Sequence, residues 1–170
     1  MRDGQTDGAK ERHEERKGMI DKIIKILKDH FGKKVIALVV FGSYARGDFG
    51  ESSDIDLFAI IEGLPRRHFE RSTLMSSLIT SHFSRRITII AKTKREFLSA
   101  FAPLYLDLAL DGKVAYDTDG FMKERLAEIE AIIEQAGLFR KKRGSRDYRW
   151  EWHVPPKGGW AIDWQGYREL

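Results

Sequence analysis

The sequence predicts one mixed domain of the α+β class, and three observations carry that prediction. Two short runs rich in β-branched residues, Val35–Phe41 and Ile55–Ile61, are apolar throughout except at Asp56 and too short for helices. Segments with apolar residues at three- and four-residue spacing lie before and after them, as amphipathic helices require. Glycine and proline stand at the junctions between segments. With 170 residues, 42% hydrophobic and 33% charged, the chain can bury one core and carry a small appendage.

In chain order, residues 1–16 are polar and charged without periodicity and read as a disordered arm or the frayed start of a helix. From residue 17, Met19, Ile20, Ile23, Ile24, Leu27 and Phe31 recur at helical spacing, and Gly32 is placed to end that helix. Val35–Phe41 is a buried strand bounded by Gly42, and Ile55–Ile61 a second one ended by Gly63-Leu64-Pro65. A helix through Phe69, Leu74, Met75, Leu78 and Ile79 precedes a third strand, Arg86–Ala91. Thr93-Lys94-Arg95-Glu96 has the form of a capping box, so a short helix begins there. Pro103 opens the next helix, which stops at Asp111-Gly112 before a short strand, Val114–Tyr116. Phe121 to Ala136 is a last amphipathic helix, with Asp119 expected as its cap and Gly137 as its terminator. This gives a main domain over 17–138 and an extension over 139–170, expected to be a β-like flap because Pro155-Pro156 and Gly158-Gly159 break it into short extended pieces.

Composition excludes several chemistries. Cysteine is absent, which removes disulfide frameworks, thiol catalysis and cysteine-ligated zinc together. No apolar run could cross a bilayer and the first residues lack the apolar stretch of a secretory signal, so the expected location is the cytoplasm, with no membrane partner. His13, His30, His68, His82 and His153 form no metal-binding pair at close spacing. The net charge of +4 is uneven: between residues 140 and 157, seven basic side chains face two acidic ones. With Tyr148, Trp150 and Trp152 interleaved, that tail could follow a nucleic acid. The favoured reading is that the tryptophans cover the core while the basic residues are solvated, so nucleic acid is not the preferred partner.

The chemistry concentrates in Phe41-Gly42-Ser43-Tyr44-Ala45-Arg46-Gly47 and Ser53-Asp54-Ile55-Asp56-Leu57. Side chains along a strand alternate faces, so Asp54 and Asp56 project from one face and can converge on one cation. Oxygen-only donors of this kind suit Mg²⁺, with Mn²⁺ as a substitute, and such an ion takes phosphate oxygens as further ligands. Gly42 permits close backbone approach to a ligand, and Ser43 adds a hydroxyl in a turn that opens toward phosphate. Gly42 and Gly47 have the spacing of a P-loop, but Asp48-Phe49 stand where Lys-Ser/Thr is required, so Walker-type binding is rejected.

Gly42-Ser43, ten residues, then Asp54-Ile55-Asp56 resembles the signature of the minimal nucleotidyltransferases of the DNA polymerase β-like superfamily, with Ala45-Arg46-Gly47 and Ser53 also typical. The resemblance covers residues 34–118 and implies a small mixed β-sheet flanked by helices, the polymerase β-like palm. It further implies transfer of a nucleoside monophosphate from an NTP, with ATP the expected donor, and release of pyrophosphate. Asp54 and Asp56 would be the catalytic, metal-holding pair, with Gly42, Ser43, Arg46 and Ser53 binding nucleotide. The acceptor would be a protein, an RNA end or a small molecule. The family's third carboxylate comes from a neighbouring strand, here Arg86–Ala91, which carries Thr88 and no acid; nothing in the spacing brings Glu62, Asp107 or Asp117 to the metal in its place. The missing third acid motivates an alternative, a noncatalytic nucleotide-binding or partner-neutralising, antitoxin-like protein, and the resemblance implies a possible helical partner, since members of this family can pair with helical toxin subunits.

Overall fold

The computed structural model describes residues 4–47, 53–144 and 147–170, with side chains from residue 14 onward. Asp48 and Phe49, which argue against a P-loop, and Arg146 of the basic tail lie outside the described residues. Helix α1 spans Gly4–Phe31 and so begins well before residue 17. The stretch expected as an arm is helical from Gly4, in keeping with its Glu, Lys, Arg and Ala residues, which are good helix formers. Ile23 and Leu27 are fully buried farther along it.

Strand β1 (Val35–Phe41) and strand β2 (Ile55–Ile61) have the expected bounds, and between them β1 passes directly into the single turn of α2 (Gly42–Arg46). Helix α3 (His68–Ile79) leads to β3 (Ile87–Lys92), one residue later than expected. Helix α4 (Lys94–Ser99) starts with both halves of the Thr93–Glu96 capping box formed, and α5 (Pro103–Asp111) starts at its proline. Strand β4 (Lys113–Asp117) and helix α6 (Phe121–Gln135) complete the main body.

The cap of α6 differs from expectation. Asp119 has a positive φ of 58° and Gly120, not Asp119, is the N-cap residue. The side-chain acceptor comes from farther back: Met122 N–H and Lys123 N–H each donate to the Asp117 carboxylate at 3.0 Å. Left-handed backbone at two successive residues turns Asp119 aside and brings the end of β4 over the helix start.

The four-stranded sheet has the order β3-β2-β1-β4, with β1 antiparallel to both β2 and β4 and β2 parallel to β3. This is the mixed sheet with flanking helices that the sequence implies. Both faces are buried, and alternation along β2 sorts its residues between two cores. Ile55, Leu57, Ala59 and Ile61 join Ile23 and Leu27 of α1 and Met75 and Ile79 of α3. Phe58 and Ile60 join Phe97, Tyr105, Leu108, Met122 and Ile129 of α4, α5 and α6. Asp56 has the parity of Phe58 and Ile60, so it belongs to the face that carries α5 and α6.

The extension forms two hairpins, β5 (Leu138–Lys142) with β6 (Tyr148–Trp152), and β7 (Trp160–Asp163) with β8 (Gly166–Glu169). Trp150, Trp152, Trp164 and Tyr167 pack on the core beside α4, α5 and α6. Trp164 meets Phe97, Phe101 and Tyr105 with ring centroids 4.9, 5.2 and 5.8 Å away. Among the described residues, no helix is long and apolar enough to cross a membrane.

Candidate active site at the glycine-serine corner

Antiparallel pairing brings the end of β1 against the start of β2, with Phe41 opposite Asp56. The chain then turns at Gly42, whose φ is +72°, and enters α2. A side chain at this position would meet two obstacles. A left-handed backbone disfavours any Cβ, and a Cβ built there would sit 2.4 Å from Asp56 Oδ2. Gly42 thus fixes the backbone of the corner in van der Waals reach of the carboxylate, and Ser43 follows it, half-buried.

The two acids differ in environment. Asp54, just ahead of β2, has a side chain 38% exposed and lies 3.7 Å from Arg86, itself 81% exposed, a separation and exposure at which an ion pair contributes little. Asp56 is deeper, and its pKa is raised above the ordinary carboxylate value, first by burial and second by the negative charge of Asp54, with Arg46 pulling the other way. Two carboxylates that repel each other beside a dry strand are the donor set that a hard divalent cation relieves, so the residues present fit Mg²⁺ or Mn²⁺. Ser53 lies half-buried next to Asp54.

The parallel register of β2 and β3 puts Thr88 directly beside Asp56. The place from which a third carboxylate would reach the ion therefore holds an exposed threonine. The three acids weighed as replacements have other partners. Glu62 accepts from Lys94 N–H at 3.0 Å at the start of α4, Asp117 caps α6, and Asp107 accepts from Trp150 Nε1 at 3.1 Å and pairs with Arg140 at 3.3 Å. No group of three His, Cys, Asp or Glu side chains capable of holding a metal occurs among the described residues.

Arg46, at the end of α2, is not the exposed loop arginine that its sequence context also allows. Its side chain is 18% exposed, its guanidinium sits 4.7 Å from the centre of the Tyr148 ring, and its Nη1 is 3.5 Å from Asp111 Oδ2. The same Asp111 is gripped by Arg140 through both oxygens, Nη1 to Oδ2 at 2.5 Å and Nη2 to Oδ1 at 2.8 Å. Arg140 also stacks on Tyr148, 4.5 Å from the ring centre, so the two guanidiniums share one aromatic surface and one carboxylate.

This corrects the expectation for the tail. Trp150 and Trp152 cover the core as expected, whereas Arg140 is not solvated: its side chain is only 8% exposed and is held by Asp107 and Asp111. A signal for it existed in the sequence, because Asp107 and Asp111 stand four apart on an otherwise apolar helix, and acids on a buried face need a cation. Arg16 was also missed. It is 5% exposed and lies 5.1 Å from the Tyr44 ring centre, which ties α1 to the corner. Burial raises the pKa of Tyr44, while the charges of Arg16 and Arg85 oppose that shift.

Comparison with known proteins finds relatives in sequence and in fold. "Putative protein adenylyltransferase MJ1305" of Methanocaldococcus jannaschii is 32% identical over 121 residues, which are 69% of this chain and 82% of that protein. A second protein of that organism, "Putative protein adenylyltransferase MJ0141", is 44% identical over 43 residues, 25% of this chain and 39% of its own. In fold, the chain is similar to one from a crystal structure of a toxin-antitoxin with AMP-PNP, with a TM-score of 0.52, 20% identity, and coverage of 68% of this chain and 86% of that one. A mutant of the toxin-antitoxin MntA-HpeT aligns with a TM-score of 0.52 at 19% identity over the same share of both chains. The model of the family described as nucleotidyltransferase domain matches residues 20–137, ending just before β5, so both C-terminal hairpins lie outside it. A match of that extent, on a sheet that sets Gly42 against Asp56 and Asp54 beside it, makes this chain a member of the nucleotidyltransferase domain family.

Proposed function

We propose that this nucleotidyltransferase moves AMP from ATP to a side-chain hydroxyl of a protein partner, with Mg²⁺ held by Asp54 and Asp56. The observation that carries the reading is the contact between Gly42 and Asp56, which sets a glycine-serine turn against a carboxylate whose charge is disfavoured until a cation arrives. The protein acceptor is supported by the relative described as a protein adenylyltransferase. A protein partner is in keeping with fold neighbours that come from toxin-antitoxin structures.

In this reading the acceptor hydroxyl oxygen attacks the α-phosphorus and gives up its proton to solvent, the bond from that phosphorus to the bridging oxygen breaks, and pyrophosphate leaves with the bond's electron pair. The bound cation supplies charge neutralisation on the phosphate oxygens. Gly42 and Ser43 bring backbone and hydroxyl donors to the triphosphate, Ser53 borders the carboxylates, and Arg46 supplies positive charge to phosphate oxygen. The test is incubation with α-labelled ATP, Mg²⁺ and a panel of candidate partner proteins. Label is expected on the partner, with pyrophosphate released in equal amount, and Asp54→Asn and Asp56→Asn are expected to abolish it. Absence of label with either Mg²⁺ or Mn²⁺, or labelling that survives both substitutions, refutes the proposal.

A second reading has its own observation, Thr88 in the strand position beside Asp56. It describes a protein that holds Mg-ATP and neutralises its partner without turnover. Tight ATP binding with no pyrophosphate release would select it.

A further inference from the structure

Strand β3 meets the paired acids with a threonine and an arginine. The parallel register sets Thr88 beside Asp56, and the ladder gains one further bond where Ile55 N–H donates to the Arg86 carbonyl at 3.1 Å. The backbone of Arg86 is thus pinned to the start of β2, next to Asp54. Its side chain is held loosely by contrast: it is 81% exposed, and its Nη1 stands 3.7 Å from Asp54 Oδ2, beyond hydrogen-bond range. A fixed base with a guanidinium open to solvent can exchange one anionic partner for another.

The charge at the corner therefore differs from that of a site built on three acids. Asp54 and Asp56 bring two negative charges, and Arg86 sets one positive charge against them. A free divalent cation is drawn by the carboxylates and repelled by the arginine. A cation that arrives with a triphosphate brings excess negative charge, which the arginine attracts. Neighbouring ligands of an octahedral Mg²⁺ lie about 3 Å apart, so a phosphate oxygen sharing the ion with Asp54 comes within the span of a side chain that already stands against that carboxylate.

We propose that Arg86 is a nucleotide-binding residue that couples cation to nucleotide: it opposes a free cation at Asp54 and, when Mg-ATP binds, turns its guanidinium from that carboxylate to the triphosphate. The proposal rests on the reading above that Asp54 and Asp56 hold the cation of an NTP. The coupling is reciprocal, since nucleotide that draws Arg86 away from Asp54 tightens the cation, and the cation frees Arg86 for the nucleotide.

The experiment titrates the full chain with Mn²⁺ alone, followed by the paramagnetic resonance of the free ion, and with Mn-ATP, followed by calorimetry. Arg86→Gln is expected to tighten Mn²⁺ alone about threefold, the effect of removing one solvent-screened charge, and to weaken Mn-ATP about tenfold, the scale of one charge-assisted contact. Arg86→Lys keeps the charge without the fork, so it should bind Mn²⁺ as the wild type does and give an intermediate affinity for Mn-ATP. Arg95→Gln removes the same charge from an exposed position at the other end of β3 and should change neither. The opposite signs are the signature: an arginine with a merely structural role would weaken both titrations when replaced, and a solvated one would alter neither. Wild-type protein that does not bind Mn-ATP refutes the reading of Asp54 and Asp56 itself. Wild-type protein that binds it, with Arg86→Gln shifting both affinities in one direction or leaving them unchanged, overturns the role of Arg86 alone.

Discussion

Replacing Gly42 by alanine separates two costs that one residue combines. The first is conformational. At φ +72° an L-residue is strained, which costs about 1–2 kcal/mol of stability. The second is steric and local: the new methyl would stand 2.4 Å from Asp56 Oδ2, so either the corner or the carboxylate must move. Gly120 supplies the control, because its φ is also +72° and, among the described residues, nothing lies within 4 Å of a Cβ built there. Gly120→Ala should therefore lose about 1–2 kcal/mol in urea unfolding, and Gly42→Ala at least as much. Only Gly42→Ala should displace the metal ligand. Its Mn²⁺ affinity should fall about tenfold or more and its transfer rate about a hundredfold, the scale of a reacting group misplaced by about 1 Å. If Gly42→Ala binds Mn²⁺ and transfers like the wild type, or if Gly120→Ala loses as much of either, the assigned role of the corner is wrong.

Three further outcomes follow from the same geometry. Thr88→Asp places a carboxylate beside Asp56 at an exposed position, so it should fold normally, tighten Mn²⁺ binding and raise pyrophosphate release about tenfold or more; equal or lower release shows that no third acid is missing. Asp56 has a raised pKa, so its contribution to stability is greatest where it is protonated and is lost as pH rises through its folded-state pKa. Asp56→Asn should accordingly stabilise the metal-free protein at pH 7 by about 1 kcal/mol or less, with the gain vanishing at acid pH in melting experiments. Glu96 shows the opposite sign: its pKa is lowered to about 2, first through its hydrogen bonds from Arg71, so its stabilisation is present above the ordinary glutamate range and is lost as pH falls toward about 2. Glu96→Gln should cost about 1 kcal/mol at pH 7, a figure reduced because the side chain is 39% exposed, and the difference from wild type should close near pH 2.

The elements that were legible in the sequence are those whose signals are local. Strands β1 and β2 have the expected bounds because a short run rich in β-branched residues, apolar throughout except at Asp56 and buried on both faces, suits a central strand. The Thr93–Glu96 capping box and the Pro103 start are likewise local contacts, closed within three residues or set by one ring. Asp54 and Asp56 could be paired from the two-residue period alone. The helical state of the polar stretch from Gly4 was not legible, because its sequence carries no apolar periodicity to signal a helix. The Asp117 cap was missed because two left-handed residues intervene between acceptor and helix. The grouping of Arg46, Asp111, Arg140 and Tyr148 was beyond local reading, since its ion pairs join residues 29 and 65 positions apart. Charge counting found the basic cluster and the spacing held the acids, but only the packing of α5 against the hairpin joins them.

The Trp164 ring seated among Phe97, Phe101 and Tyr105 has a practical corollary for anyone working with relatives of this enzyme. The family match ends at residue 137, but the packing of the core extends through the last hairpin, where Trp164 and Tyr167 lie against it. A gene fragment trimmed to the shared boundary would leave a greasy aromatic socket open to water, and such surfaces seek other chains. In this chain, the segment shared with the family and the segment that covers the core are of different lengths.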